Sequence, residues 1–162
     1  MSFRIGIGVD VHAFAENRKL VLGGVVIPFP KGLKGHSDAD VLTHALCDAL
    51  LGAVALGDLG SHFPDTDDHY KGISSIELLK KVNQLLLKTK FKIENVDGVV
   101  VAQQPVLSPY IPEMRKKLAD TLHIPVENLS VKATTTEYLG FTGRKEGIAA
   151  IVNVLVRQSD SG

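Results

Sequence analysis

The chain has 162 residues, enough for one ordinary hydrophobic core, and 44% of them are hydrophobic. Lys+Arg and Asp+Glu are both 18, so the formal net charge is zero; this excludes the basic excess of a typical nucleic-acid binder and leaves little charge to keep copies apart. A single cysteine, Cys47, excludes an intrachain disulfide, and no apolar run reaches the ~18 residues of a membrane span.

Met1 to Val9 lacks the basic-then-apolar layout of a signal peptide, so the expected setting is a reducing, cytoplasmic one, away from membranes. Arg4 to Val9 alternates around Ile5, Ile7 and Val9 with glycines between, which predicts a strand with room for close backbone packing. Leu20 to Leu22 and Val25 to Ile27 flank Gly23-Gly24, a hairpin signal. After Pro28, Pro30 and Gly32 a loop is expected to run to Ser37. Ser37 is the expected N-cap of a helix, with Asp40 three residues on in capping-box spacing. Val41, His44, Ala45, Asp48, Leu51 and Gly52 keep helical spacing to about Gly57, and the small residues among them predict a helix pressed onto a sheet. Gly57 to Asp68 reads as loop.

Ser74 and Glu77 form a second capping box, continued by Ile76, Leu79, Val82 and Leu86 as an amphipathic helix. Asn95 to Gln103 reads as a strand. Pro105 and Pro109 bound a loop, and Pro112 opens a helix through Leu122. Leu129 to Ala133 is a strand, Gly140 to Glu146 a turn region, and Gly147 to Val156 the last and most β-branched strand. Residues 1–162 are therefore expected to form a single α+β domain, a mixed sheet with helices packed on one face, rather than a doubly wound fold.

Asp10 and His12 lie two residues apart at the end of the first strand, so both side chains leave the same face. An oxygen and a nitrogen ligand side by side suit a zinc-like ion, and they equally suit a turn aspartate and a surface histidine. His44, inside an apolar helix, needs partners for its imidazole: either it is a satisfied core histidine, or it completes an Asp-His-His set with a fourth position open. Asp48, one turn later, is placed either to orient that ring or to face solvent.

Gly35-His36-Ser37-Asp38 precedes the helix, where backbone N–H groups and the His36 and Ser37 side chains offer donors to a phosphate. Thr134-Thr135-Thr136-Glu137 offers hydroxyls and one hard oxygen ligand of the kind Mg²⁺ takes beside substrate phosphates. Gly57-Asp58-Leu59-Gly60 and Phe63-Pro64-Asp65-Thr66-Asp67 suit ribose recognition or plain solvated turns. Gly6 and Gly8 lack the third glycine and following helix of a dinucleotide fingerprint.

In this order along the chain, RIGIGVDVHAF, GHSDADVLTHALCDALLGAVALGDLGSHFPDTD and VKATTTEYLGFTGRKEGIA closely resemble one family, the 2-C-methyl-D-erythritol 2,4-cyclodiphosphate synthases of non-mevalonate isoprenoid synthesis. The resemblance covers essentially the whole chain. It implies a lyase that closes 4-diphosphocytidyl-2-C-methyl-D-erythritol 2-phosphate into a cyclic diphosphate and expels CMP. It implies Zn²⁺ held by Asp10, His12 and His44. His36 and Ser37 would contact the methylerythritol phosphate end, with His36 catalytic. Asp58, Leu59 and Gly60 would take the ribose, and Phe63, Pro64, Asp65, Thr66 and Asp67 would close over the erythritol part.

The same resemblance implies that Ala102, Gln103, Gln104, Pro105, Val106, Leu107 and Ser108 hold cytosine, largely through the backbone. Thr134, Thr135 and Thr136 would bind the phosphates, with Thr135 a second transition-state stabiliser. Glu137 would hold Mg²⁺ or Mn²⁺ bridging two of those phosphates. The family is a homotrimer with active sites at subunit boundaries, and Phe141 and Arg144 would lie near its central channel. Val9 stands where some relatives carry an aromatic residue and Val106 where many carry Lys. The rival readings are a metal-dependent phosphohydrolase, a non-catalytic sensor of isoprenoid diphosphates, and a purely structural zinc.

Overall fold

The computed structural model describes residues 2–64 and 66–159, the His69 side chain apart. In chain order the elements are β1 (Phe3–Ala15), β2 (Leu20–Leu22), β3 (Val25–Ile27), β4 (Gly32–Leu33), α1 (Val41–Ala53), α2 (Leu59–His62) and α3 (Ser75–Lys88). There follow β5 (Phe91–Val101), α4 (Ile111–Leu122), β6 (Leu129–Thr134), α5 (Gly140–Gly143) and β7 (Gly147–Gln158). Five strands form a sheet in the order β4-β1-β7-β5-β6, and β2-β3 is a separate hairpin. The sheet is mixed: β5 and β6 run parallel, whereas β1 pairs antiparallel with β4 and β7, and β5 antiparallel with β7. The expected α+β architecture with a mixed sheet is what forms.

Strand alternation decides which side the core takes. Ile148, Ala150, Val152, Val154 and Val156 of β7 are buried beneath the helices, with Leu42, Leu46 and Leu50 of α1 above them. On β1 the opposite face is bare. Ile5 is 81% exposed, Ile7 64%, Val9 55% and Val11 48%.

β5 spans Phe91–Val101 where Asn95–Gln103 was expected, and β4 falls in the expected loop before Ser37. Three further differences bear on the site. The first strand runs on to Ala15, because β7 pairs with it residue by residue from Phe3 to Ala13; Asp10 and His12 therefore sit within a strand, not at its end. The helix cap is Asp40 rather than Ser37. The buried Asp40 carboxylate accepts the Thr43 N–H and hydroxyl, and also the N–H groups of Gly23 and Gly24. Those two glycines both take positive φ at the hairpin turn, so one side chain ties the hairpin to the start of α1. That helix ends at Ala53, short of Gly57, since Ala55 and Gly57 both adopt positive φ. Two short helical turns, α2 and α5, stand where loop and turn were expected.

Candidate functional site

Close packing of α1 on β1 builds the site. A β-carbon on Gly8 would fall 1.8 Å from the Ala45 carbonyl oxygen, and one on Gly6 1.9 Å from that of Ala49. Only glycine allows this approach. It brings His44, the neighbour of Ala45, over Asp10 and His12, with the two imidazole centroids 5.6 Å apart.

Asp10 Oδ2 lies 2.9 Å from His12 Nε2 and 3.2 Å from His44 Nδ1. The three ligand atoms fall within 4.8 Å of one another, the one such cluster among the described residues. Asp10 Oδ2 and His12 Nε2 are shielded from water, and neither has a well-directed hydrogen-bond partner. His12 Nδ1 meets the Lys34 carbonyl at 2.6 Å. A carbonyl only accepts, so Nδ1 carries a proton and the neutral ring aims the Nε2 lone pair at a carboxylate oxygen. That arrangement is repulsive without a cation between the two, either a proton or a metal ion. The orphaned atoms and the Asp-His-His donor set fit a divalent ion.

The electrostatics of the metal-free protein agree. Burial by itself raises the Asp10 carboxyl, but the adjoining imidazoles of His12 and His44 outweigh it and hold the group well below the usual carboxylate range. The contact with Asp10 raises His12, against the opposing effect of burial.

A cavity of about 270 Å³ opens beside the three ligands, lined also by Gly35, His36, Ser37, Leu59, Gly60, Phe63 and Tyr70. Arg18 holds one wall: Nη1 donates to the Gly35 carbonyl at 2.6 Å and Nη2 to that of Ser37 at 2.5 Å. Asp48 makes no hydrogen bond to His44. Its Oδ1 instead accepts the Leu59 N–H at 2.7 Å, so it fixes the start of α2. Asp58 caps that turn through the Ser61 N–H and hydroxyl. Phe63 and Tyr70 meet edge to face at 5.3 Å, with the Lys81 ammonium over both rings. Pro64, Thr66 and Asp67 continue the same loop; Asp65 lies outside the described residues.

The remaining candidates form a second group. A cavity of about 250 Å³ is lined by Ala102, Gln103, Pro105, Val106, Leu107, Ser108, Thr134 and Thr135. Gln104 joins Pro105 through a cis peptide. Thr135 Oγ1 donates to Glu137 Oε1 at 2.7 Å. Glu137 and Tyr138 both take positive φ, a costly conformation held by the Gln103 side chain accepting the Tyr138 N–H and by Gly143, whose added β-carbon would strike the Tyr138 carbonyl carbon at 2.2 Å. Thr136 is turned elsewhere, its hydroxyl meeting the Leu139 carbonyl and the Thr142 hydroxyl. Arg144 is paired with Glu146, and Phe141 is partly exposed.

The fold of one chain does not unite the two groups. Thr134 pairs with Val101, Val101 with Ala149, and Ala149 with Val11, so Thr134 belongs to the row of Val11 on the bare face. Asp10 and His12 point to the other face, toward α1. Sequence reasoning does not single out Ser75 or Arg18 and names Asp38 only within the Gly35-His36-Ser37-Asp38 run; contacts across 17 or more positions mark all three.

Fold and site define an α+β protein built around an Asp-His-His set that could hold a metal ion. Residues 3–157 match the model of the YgbB family, and the chain belongs to that family. A 2-C-methyl-D-erythritol 2,4-cyclodiphosphate synthase of Desulfitobacterium hafniense (strain DSM 10664 / DCB-2) is 61% identical over 147 residues, 91% of this chain and 93% of that one. The bifunctional IspDF from Campylobacter jejuni superposes with a TM-score of 0.95 at 46% identity, covering 98% of this chain and 43% of that longer one. IspF of Plasmodium falciparum in its CDP complex gives 0.86 at 33% identity, with 98% of each chain covered.

Proposed function

We propose that this chain cyclises 4-diphosphocytidyl-2-C-methyl-D-erythritol 2-phosphate to 2-C-methyl-D-erythritol 2,4-cyclodiphosphate and releases CMP, as a single domain over residues 1–162. The observation that carries it is the convergence of Asp10, His12 and His44, with two orphaned buried atoms, in a chain this similar to a named synthase. In the reaction an oxygen of the substrate's 2-phosphate forms a bond to the β-phosphorus. The bond from that phosphorus to the bridging oxygen breaks, and the oxygen leaves with CMP.

Such a transfer needs positioning and charge stabilisation, not a protein nucleophile. A divalent ion at Asp10, His12 and His44, with Zn²⁺ the expected one, supplies Lewis-acid polarisation of a phosphate oxygen when bound. His36 and Ser37 line that cavity and are assigned to the methylerythritol phosphate end. Asp58, Leu59 and Gly60 are assigned to the ribose, with the loop of Phe63, Pro64, Asp65, Thr66 and Asp67 over the erythritol part. The second cavity, from Ala102 to Ser108, is assigned to cytosine. Thr134, Thr135 and Thr136 are assigned to the phosphates and Glu137 to Mg²⁺ or Mn²⁺.

Two cavities lined by different residues can serve one substrate when different copies contribute them. The division of the candidate residues between two separate cavities supports a homotrimer with sites at subunit boundaries. The bare Ile5, Ile7, Val9 and Val11 surface fits the buried centre of such an assembly. A cytoplasmic location goes with this reading; no helix of the described residues is long and apolar enough to cross a membrane.

Phosphorus NMR and mass spectrometry of the purified protein with substrate, Zn²⁺ and Mg²⁺, beside His44→Ala, test the reading. CMP and a cyclic diphosphate from the wild type alone are expected. Inorganic phosphate would point to a phosphohydrolase, and ligand binding without turnover to a sensor.

A further inference from the structure

The geometry points to Ser75 and Asp38 as positioning residues that fix the tautomer of His44 and thereby set the affinity of the Asp10-His12-His44 site for a divalent cation. The inference rests on the metal reading of that site.

Ser75 is fully buried at the first turn of α3, 31 positions along the chain from His44. Its Oγ makes two contacts, one to Asp38 Oδ1 and one to His44 Nε2 at 2.8 Å. A hydroxyl has a single proton to give. The Asp38 carboxylate is an acceptor on every side: it also takes the Ser75 N–H at 2.9 Å and the Asp40 N–H at 3.2 Å. The Ser75 proton therefore goes to Asp38, and its oxygen is left to accept. His44 Nε2 must then be the donor, which leaves the Nδ1 lone pair facing Asp10 Oδ2, where the ligand atoms meet. Ser37 Oγ, at 3.2 Å from the same Nε2, already accepts the Ala39 N–H and is the longer contact.

The two histidines are thus prepared differently. His12 is held through a backbone carbonyl, which no side-chain substitution removes. His44 is held through two side chains on separate segments, and both can be removed. The same segments are laced together by backbone bonds, Gly72 N–H to the His36 carbonyl and Asp38 N–H to that of Ile73. Placing a carboxylate at the start of α3 is also favourable, since backbone N–H groups converge there. Partners of this kind raise ligand basicity and fix ring orientation, and their loss typically weakens metal binding about 10–100-fold.

The test uses full-length, metal-stripped protein titrated with Zn²⁺ against a competing chelator, with Co²⁺ absorption reporting ligand geometry. Wild type, Ser75→Ala and Asp38→Asn are compared, and urea denaturation checks that each variant folds. Nitrogen-15 NMR of wild-type His44 in the metal-free protein at alkaline pH reads the tautomer directly, whatever the variants do. Expected are an Nε2–H imidazole in the wild type and Zn²⁺ binding weaker by about 10–100-fold in both variants, with an altered Co²⁺ spectrum. An Nδ1–H imidazole, or variants binding within twofold of wild type, would overturn the proposal. A wild type that binds neither Zn²⁺ nor Co²⁺ brings down the metal reading itself, and this inference with it.

Discussion

Gly8 of β1 and Ala45 of α1 meet backbone to backbone: a β-carbon on the glycine would lie 1.8 Å from the Ala45 carbonyl oxygen and 2.8 Å from the Ala49 nitrogen. Because neither atom belongs to a flexible side chain, Gly8→Ala must lift the helix off the strand. Overpacking of this kind costs about 1–3 kcal/mol. Urea denaturation should show that loss. Zn²⁺ affinity should fall as well, since His44 sits beside Ala45 on the helix that moves.

Metal removal is expected to destabilise the protein. An ion that binds only the folded chain adds about 2.7 kcal/mol when its concentration is 100 times its Kd. Thermal unfolding with Zn²⁺ and after chelation should differ accordingly in the wild type. Asp10→Asn, which removes the charged ligand, should show little difference between the two conditions.

The metal-free protein should be most stable in mildly acidic solution. His12 is raised above its ordinary value of 6.5, so its contribution is complete below that value and is lost as pH rises through the raised one. Asp10 is lowered below 3.8, so its contribution is complete above that value and is lost as pH falls through the lowered one. Asp10→Asn should flatten both limbs of the stability–pH curve measured in chelator.

Arg18 braces the wall that carries His36 and Ser37 through two short bonds to carbonyl oxygens. Arg18→Met keeps the stem and removes the fork. Bonds from a charged donor contribute about 1.5–3 kcal/mol each, and loss of the lower figure corresponds to about a tenfold rise in KM. Steady-state kinetics should show KM rising more than kcat falls. An unchanged KM would mean that the wall holds its shape without Arg18.

If neighbouring copies complete each active site, two inactive variants should rescue each other. His44→Ala spoils the metal cavity and Thr135→Ala the second one. Unfolded together in equal amounts and refolded, they should regain about a quarter of wild-type activity, because a site is intact only where two undamaged halves meet. Each variant refolded alone should stay inactive. So would the mixture if one chain supplied the whole site.

The sequence by itself determined the α+β class, the hairpin at Gly23-Gly24, the helices opening near Ser74 and Pro112, and the pairing of Asp10 with His12 on one strand face. Those features are written in local periods and turn residues, where a side chain's neighbours are only a few positions away. Its local signals ran out where a partner lay far along the chain. Asp40 displaced Ser37 as the helix cap because it also holds Gly23 and Gly24, which no capping pattern contains. Asp48 went to Leu59 rather than His44, although helical spacing placed it one turn from the imidazole.

Only the tertiary structure decided that His44 joins Asp10 and His12, since that depends on how closely a glycine-lined strand lets a helix approach. It likewise decided that Thr134 lies on the face opposite them, because strand order and register place side chains that sequence spacing leaves free.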